Sequence, residues 1–239
     1  MQPLNDHIQL MKKILTPLLI AALAMVSCNK VNSDDLEDDV PYYQHYSVDY
    51  DGSNDETLAY GAFRVRGSGG AAVTFGEESY LKINGNATVK NDFLSLVVPT
   101  YSYKTTMLTD ITFELHKKDG KIITNSVPLN TIDPVDFPSG MPSNFSRAAG
   151  INFSYSGNEG AIEITIKGRD LSNQEITISK TVTTSQVSFS SSELSGMNNG
   201  QVEIIMTRAK QMNVPNSDES IGGLIDIRYS VHNTYMLTT

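Results

Sequence analysis

Apolar residues recur at every second position through most of the chain after residue 57. The clearest runs are Ile111-Phe113-Leu115, Ile162-Ile164-Ile166, Ile176-Ile178, Val202-Ile204-Met206 and Ile225-Ile227-Tyr229-Val231. A period of two puts alternate side chains on opposite faces of a strand, so each run predicts a strand with one dry face and one wet face. No long stretch keeps a helical period, and the best helical candidate is a short turn at residues 191–195. The pattern predicts an all-β protein.

Turn residues divide the chain between these runs. Asn84-Gly85, Asp119-Gly120 and Asn199-Gly200 supply the positive φ angles of tight hairpins, which predicts antiparallel strands. Many short strands at regular spacing are typical of β-sandwiches. Three prolines interrupt the pattern between residues 132 and 147, and we place a domain boundary there. The expected architecture is two tandem immunoglobulin-like sandwiches, residues 45–137 and 138–239, with one fused sandwich as the alternative.

Composition excludes several classes of function. The 239 residues carry a net charge of -9, which is the wrong sign for neutralising phosphates, so nucleic acid is not an expected partner. A single Cys excludes an internal disulfide framework and a Cys-rich zinc site, and four scattered His offer little for a histidine metal centre. We expect no cofactor.

The chain begins with a targeting segment. A positively charged start at Met11-Lys12-Lys13 precedes an apolar run that ends in Ser27-Cys28, which is the anatomy of a secretory signal peptide. We expect Met11 to be the true start and residues 1–27 to be removed. The placement of Cys28 resembles a bacterial lipobox, which implies that Cys28 is lipidated and anchors the protein in a membrane. An unmodified thiol after an ordinary signal peptide is the alternative.

Acidic residues dominate the segment that follows Cys28. Nine acidic residues and one Lys lie between residues 28 and 56. A same-sign run of low hydrophobicity stays extended, so residues 28–44 are expected to form a tether, and residues 29–40 would reach roughly 20 Å as a flexible chain.

Part of this segment resembles the acidic signal that sends Bacteroidetes lipoproteins to the outer face of the outer membrane. The candidate export-signal residues are Ser33, Asp34, Asp35, Glu37, Asp38 and Asp39. The resemblance implies an outer-membrane lipoprotein that faces the cell exterior. A solvated linker on a lipoprotein that faces the periplasm is the alternative.

The order of motifs in the body also resembles a family. The order of short motifs along the chain is similar to that in two-domain bacterial surface lipoproteins of unknown function. These motifs include Ala62-Phe63-Arg64-Val65, Lys118-Asp119-Gly120-Lys121 and Met206-Thr207-Arg208. The resemblance spans most of residues 58–239. It implies a fold and supplies no catalytic residue.

The search for chemistry finds weak candidates. No Gly-x-Ser-x-Gly occurs, His116 and His232 lie in strand patterns, and His45 lies in an aromatic arm, so we expect no enzyme. Asp49, Asp51 and Asp55 offer carboxylate oxygens, which are ligands that Ca²⁺ favours. Their spacing does not fit an EF-hand, and a polar turn without a metal explains the same residues.

Four tyrosines lie in one arm, residues 40–50. Tyr42, Tyr43, Tyr46 and Tyr50 could stack on sugars or on a partner protein. The favoured interpretation is a first strand whose alternate rings pack inward.

These observations predict a non-enzymatic, lipid-anchored envelope protein that acts as a binding or structural module, with an unknown protein or glycan as partner. Two alternatives remain open. One is a glycan-binding accessory lipoprotein of an outer-membrane uptake system. The other is a fimbrial subunit, with an exposed final strand at residues 225–237 as the element exchanged between copies.

Overall fold

The computed structural model describes residues 30–91 and 98–239, and 57% of them lie in strands against 4% in helix. The first ten strands are β1 (Lys30–Asn32), β2 (Tyr42–Asp51), β3 (Glu56–Val65), β4 (Ala72–Thr74), β5 (Tyr80–Ile83), β6 (Asn86–Ala87), β7 (Val89–Asn91), β8 (Thr100–Thr105), β9 (Ile111–His116) and β10 (Ile122–Val127). The others are β11 (Val135–Asp136), β12 (Asn144–Ser146), β13 (Ile151–Ser154), β14 (Ser156–Gly157), β15 (Ile162–Arg169), β16 (Glu175–Val182), β17 (Gln186–Phe189), β18 (Gly200–Asn213) and β19 (Gly223–Thr238). Short 3₁₀ turns lie at Ser33–Asp35, Leu129–Thr131 and Glu219–Ile221. The prediction of an all-β protein is confirmed.

One large sheet runs through the described chain in the order β1-β4-β3-β2-β19-β18-β15-β16, with β8 and β7 beside β3 and with β12 beside β19. Its hairpin neighbours are antiparallel, as the turns predict. Three pairs are parallel, namely β1 with β4, β19 with β2 and β12 with β19. These pairs join strands that are distant in sequence, where no hairpin turn forces the antiparallel direction.

Smaller sheets cover one face of the large sheet. The sheet β10-β9-β5-β6 encloses a first core, where Leu81, Phe113 and Leu115 meet Tyr46 and Phe63 of the large sheet. The pairs β13-β17 and β11-β14 enclose a second core around the isoleucines of β15. Each core is therefore a two-layer sandwich, and the large sheet belongs to both.

The long hairpin β18–β19 joins the two cores. Val214, Ile225 and Ile227 near its turn lie in the first core, whereas Met206 and Val231 farther along lie in the second. Apart from this hairpin the cores divide between Ile132 and Val135. Immunoglobulin-like topology and two separate domains stay predictions.

The turn predictions have mixed outcomes. Asn84-Gly85 joins β5 to β6 and Asp119-Gly120 lies between β9 and β10, both with positive φ at Gly. Gly200 also has positive φ, but it begins β18 after an irregular loop, so the hairpin expected there is wrong. Residues 191–195 form successive turns and no helix. Glu193 and Ser190 hydrogen-bond each other's main chain there.

Within the described ranges, the protein has no helix that combines the length and the apolar character needed to cross a bilayer.

Candidate binding surface

The large sheet has a second face, opposite the two cores, which we call the outer face. Strand register defines it, because residues directly opposite each other point to the same side. One row across the sheet is Ala209, Arg228, Asp49, Leu58 and Lys104, and the next is Thr181, Glu163, Thr207, Ser230, Asp51 and Glu56. All these side chains are exposed or half-buried. The outer face is therefore a polar surface to which these rows contribute from seven strands.

The described strands form grooves on this face, among them the following three. The largest, about 610 Å³, runs over β15, β18 and β19 and includes Asp49 and Arg228. A second of about 290 Å³ shares Asp49 and Ser230 with it and continues toward Lys104. A third of about 330 Å³ lies over β2 and β3 and contains Tyr43 and Tyr60. Grooves of this size fall in the range of sites for small ligands.

Asp49 is the least satisfied polar side chain of the outer face. Its Oδ1 is buried and accepts no hydrogen bond from any described residue. Burial raises the pKa of Asp49, and the positive charge of Arg228 on the neighbouring strand opposes that rise without cancelling it. The Arg228 side chain itself is exposed. The pair places a hydrogen-bond acceptor and a cation side by side at the floor of the largest groove.

Two histidine rings on this face lie close to carboxylate groups. His45 Nε2 lies 2.6 Å from Asp226 Oδ2, and Gln211 donates to the other oxygen of Asp226 at 2.8 Å. Burial would raise the pKa of Asp226, but these hydrogen bonds outweigh it and lower that pKa. His232 lies between Glu203 and Asp51, at 3.3 and 3.7 Å.

The geometry of these rings does not form a hydrolase triad. Ser53 lies beside His232, but its Oγ donates to the main-chain oxygen of His232 and not to the ring. In residues 30–91 and 98–239, no hydrogen bond joins a His ring to a Ser or Thr hydroxyl. That the chain is not an enzyme stays a prediction.

The three calcium candidates have separate roles. Asp51 closes the β2–β3 turn by accepting from the main-chain nitrogens of Ser53 and Asn54, and Asp55 accepts from Leu108 at 3.1 Å. Asp49 lies in the grooves of the outer face. Across the part of the chain that the structure describes, no three His, Cys, Asp or Glu side chains are grouped to hold a metal ion.

The arm tyrosines lie on strand β2 and divide by face. Tyr42, Tyr46 and Tyr50 point inward and are at most 2% exposed, and the Tyr46 ring stacks on Phe113 at 4.3 Å. These three rings are core side chains and present no face to a ligand. Tyr43 alone of the four lies on the outer face, half-buried in a groove. The alternation of β2 is the physical reason, because Tyr43 differs from the others in parity.

The acidic segment differs from the expected tether. Residues 30–32 form a strand against β4, Ser33 is fully buried, and the Asp34 carboxylate accepts from the main chain of Glu77 at 2.9 Å. Lys118 holds the segment through the main-chain oxygens of Asp34 and Leu36. Because Val31 and Leu36 also pack on the first core, the segment is fixed to the body despite its charge.

Within the run, the export-signal candidates have different environments. Asp35, Glu37, Asp38 and Asp39 are exposed, with Asp38 3.2 Å from Lys118, whereas Ser33 and Asp34 are bonded to the body. The signal peptide and Cys28 lie outside the described residues, so their assignments stay predictions.

Strand β19 contradicts the fimbrial exchange element as we predicted it. It pairs along its length with β18 on one side, and with β2 and then β12 on the other. The final strand is therefore central in the sheet and not exposed.

Sequence reasoning did not identify Tyr60, Arg64 or Arg228 as surface residues of interest. Tyr60 and Arg64 carry the ordinary alternation of β3, which gives no sign that Tyr43 lies beside them. Arg228 meets Asp49 only through the parallel pairing of β19 with β2, which joins residues about 180 positions apart.

No family model matches this chain, and no curated protein matches it.

Proposed function

We propose that this protein is a non-enzymatic binding module of the bacterial cell envelope, lipid-anchored at Cys28 and presenting the outer face of its large sheet to a partner. The observation that carries the proposal is the asymmetry of that sheet. One face is covered by two cores, and the other is polar, with grooves lined by residues of seven strands.

A surface of this kind favours binding over a purely structural role. Asp226 is already held by His45 and Gln211, so a ligand would not have to order this cluster. Two of the grooves share Asp49 and Ser230, and the third lies over β2 and β3 of the same sheet, which both sandwiches share.

The proposed location is the outer membrane, with the body toward the cell exterior. Its support comes from the sequence, through the signal peptide, the position of Cys28 and the exposed carboxylates of Asp35, Glu37 and Asp39.

Metabolic labelling with a palmitate analogue tests the anchor. Wild type should incorporate the label and remain in the membrane fraction, and Cys28→Ala should lose the label and appear as soluble protein or uncleaved precursor. A processed Cys28→Ala form that stays in the membrane would refute lipid anchoring.

Protease shaving of intact cells tests the side of the membrane, with a periplasmic protein as internal control. Wild type should be digested, and a variant with Asp35, Glu37 and Asp39 all changed to Ala should be protected. Asp34 stays unchanged in this variant because it bonds to the body. Protection of both proteins would place the body in the periplasm.

A further inference from the structure

The groove over β2 and β3 combines two aromatic rings with several hydrogen-bonding side chains. Tyr43 and Tyr60 line it together with His45, Arg64, Ser68 and Thr100, and Ala62 and Val98 complete it. Both tyrosine rings are half-buried, so each is held in place and still keeps exposed surface.

Strand geometry sets the spacing of this groove. Tyr60, Ala62 and Arg64 point to the same side of β3 at steps of roughly 7 Å. On β2, Tyr43 lies opposite Arg64 and His45 lies opposite Ala62. The small Ala62 therefore leaves a depression, with Tyr60 at one end and the Tyr43–Arg64 pair at the other.

We propose that this groove binds a neutral pyranose ring of a saccharide chain, an inference that rests on the proposed binding function and names its ligand class. The faces of tyrosine rings carry partial negative charge and attract the C–H groups of a sugar ring. The side chains of His45, Arg64, Ser68 and Thr100 can exchange hydrogen bonds with sugar hydroxyls. A hydrogen bond from Arg64 Nη1 to the main-chain oxygen of Gly70, at 2.9 Å, orients the Arg64 side chain.

The charge of the outer face favours a neutral saccharide over an acidic one. The two grooves that lie beyond the tyrosine groove on this face are lined by four carboxylates, Asp49, Asp51, Glu56 and Glu163, against two cations, Lys104 and Arg228. A polyanionic chain that continued from the tyrosine groove toward the other two grooves would meet this net negative surface, whereas a neutral chain would not.

The mixed lining also favours a saccharide over a proline-rich peptide. Peptides of that kind dock in grooves lined mainly by aromatic rings. Here four of the eight lining side chains are polar groups other than tyrosine, which suits a ligand that offers hydroxyls on every edge.

Calorimetry with the purified full chain tests the proposal. The probes are neutral linear hexasaccharides of glucose, mannose or galactose, matched uronate hexasaccharides and a proline-rich decapeptide. We expect at least one neutral hexasaccharide to bind, and Tyr60→Ala or Tyr43→Ala to weaken it about 3- to 10-fold.

Two further variants separate stacking from a general loss of structure. Tyr60→Phe keeps the ring and should bind within about 2-fold of wild type. Tyr80→Ala removes an exposed tyrosine that stacks on His116 outside the groove and should leave binding unchanged. Circular dichroism of each variant checks the fold.

Several outcomes would overturn the proposal: no neutral hexasaccharide binds, the uronates or the peptide bind more tightly, or loss of either groove tyrosine leaves binding unchanged. These failures are separable from failure of the proposed function. Palmitate labelling and surface exposure without saccharide binding would overturn only this inference, and saccharide binding without labelling would overturn only the anchor.

Discussion

Asp218 shows how much one buried residue can connect. The carboxylate is completely buried and accepts from Lys117 Nζ at 2.9 Å, from Lys121 Nζ at 2.7 Å and from the main-chain nitrogen of Tyr42 at 2.8 Å. Lys117 is itself buried and also donates to Val40. One ion cluster thus fixes the start of β2, the β9–β10 turn and the loop between β18 and β19.

We expect Asp218→Asn to lower the free energy of unfolding by about 3–5 kcal/mol, because it leaves the Lys117 ammonium buried without a counter-charge. Urea denaturation at pH 7 measures this loss. As a control, Asp39→Asn at an exposed position of the N-terminal acidic segment should change stability by less than about 0.5 kcal/mol. A loss below about 1 kcal/mol for Asp218→Asn would contradict the assigned role.

The same residue predicts a pH dependence. Burial would raise the pKa of Asp218, but the hydrogen bonds from Lys121, Lys117 and Tyr42 outweigh it, so the folded pKa lies below the unfolded value of about 3.9. Its stabilisation is therefore fully present above the unfolded pKa and is lost as pH falls through the folded pKa. Between pH 5 and pH 2.5 the urea midpoint of wild type should fall more steeply than that of Asp218→Asn. Equal slopes would argue against this pKa shift.

Strand β16 forms one edge of the large sheet. A charged side chain on this strand disfavours its pairing with an edge strand of a second protein molecule. Among the described strands it pairs with β15 alone, and its core-side row reads Ile176, Ile178, Lys180 and Val182. Lys180 lies in this apolar row, 2.6 Å from Glu193 and over the Phe189 ring. An inward charge on an edge strand disfavours edge-to-edge association.

Lys180→Ile should therefore promote self-association without loss of the fold, because it completes an apolar row on an open edge. Analytical ultracentrifugation should detect dimers or larger species at micromolar concentration. Lys180→Arg keeps the charge and should remain in the same state as wild type. A strictly unchanged sedimentation coefficient for Lys180→Ile would show that this charge does not protect the edge.

The β18–β19 hairpin is the element that makes the two cores depend on each other. Ile227 is fully buried in the first core, while the same two strands continue into the second. We expect Ile227→Ala to cost about 2–5 kcal/mol and to raise hydrogen exchange in both β9 and β15. Leu58→Ala, on the exposed outer face, should change neither strand. Faster exchange confined to β9 would mean that the sandwiches open independently.

At the scale of the whole molecule, the fixed acidic segment changes how an anchored body would sit on a membrane. Lys30 pairs with Ala72, which also pairs with Arg64 of β3, so the described fold begins two residues after Cys28. Two residues span at most about 7 Å, against the roughly 20 Å of a flexible 12-residue tether. If Cys28 carries lipid, the β3–β4 connection lies against the bilayer and β16 lies farthest across the sheet.

Single tryptophans test this orientation without background, because the chain contains no Trp. In vesicles that hold the lipidated protein, brominated lipids should quench Ser68→Trp, in the β3–β4 connection, more strongly than Thr177→Trp on β16. Ten Gly and Ser residues inserted between Asn29 and Lys30 add a reach of about 17 Å and should reduce that difference. Equal quenching of both tryptophans in the chain without the insertion would contradict the short anchor.

Local patterns predicted much of this architecture. The apolar alternation located β9, β15, β16, β18 and β19, and two of the three Asn-Gly or Asp-Gly pairs from which hairpins were predicted marked real hairpins. The inward packing of alternate arm tyrosines followed from the same period. These features depend on residues that are neighbours in sequence, so a single sequence contains the information for them.

The candidate site could not be predicted in the same way. The sequence did not distinguish Tyr43 from the other three tyrosines of the arm as a ligand-binding residue. No sequence motif marked its neighbours Tyr60 and Arg64 as part of a groove. The fixed acidic segment was missed because charge and low hydrophobicity predict an extended chain, whereas Val31, Leu36 and the Lys118 contacts outweigh that repulsion once the body is folded.

Local periodicity was enough to predict an all-β protein and, in the alternating strands, which side chains face inward, because a period of two depends only on adjacent residues. Three features depend on the tertiary fold: β19 lies parallel to β2, Asp218 meets two lysines about 100 residues away, and Tyr43 borders a groove. Such contacts form between segments that are distant in the chain. Local patterns allow many strand pairings equally well, and burial of apolar side chains in the two cores favours the observed ones.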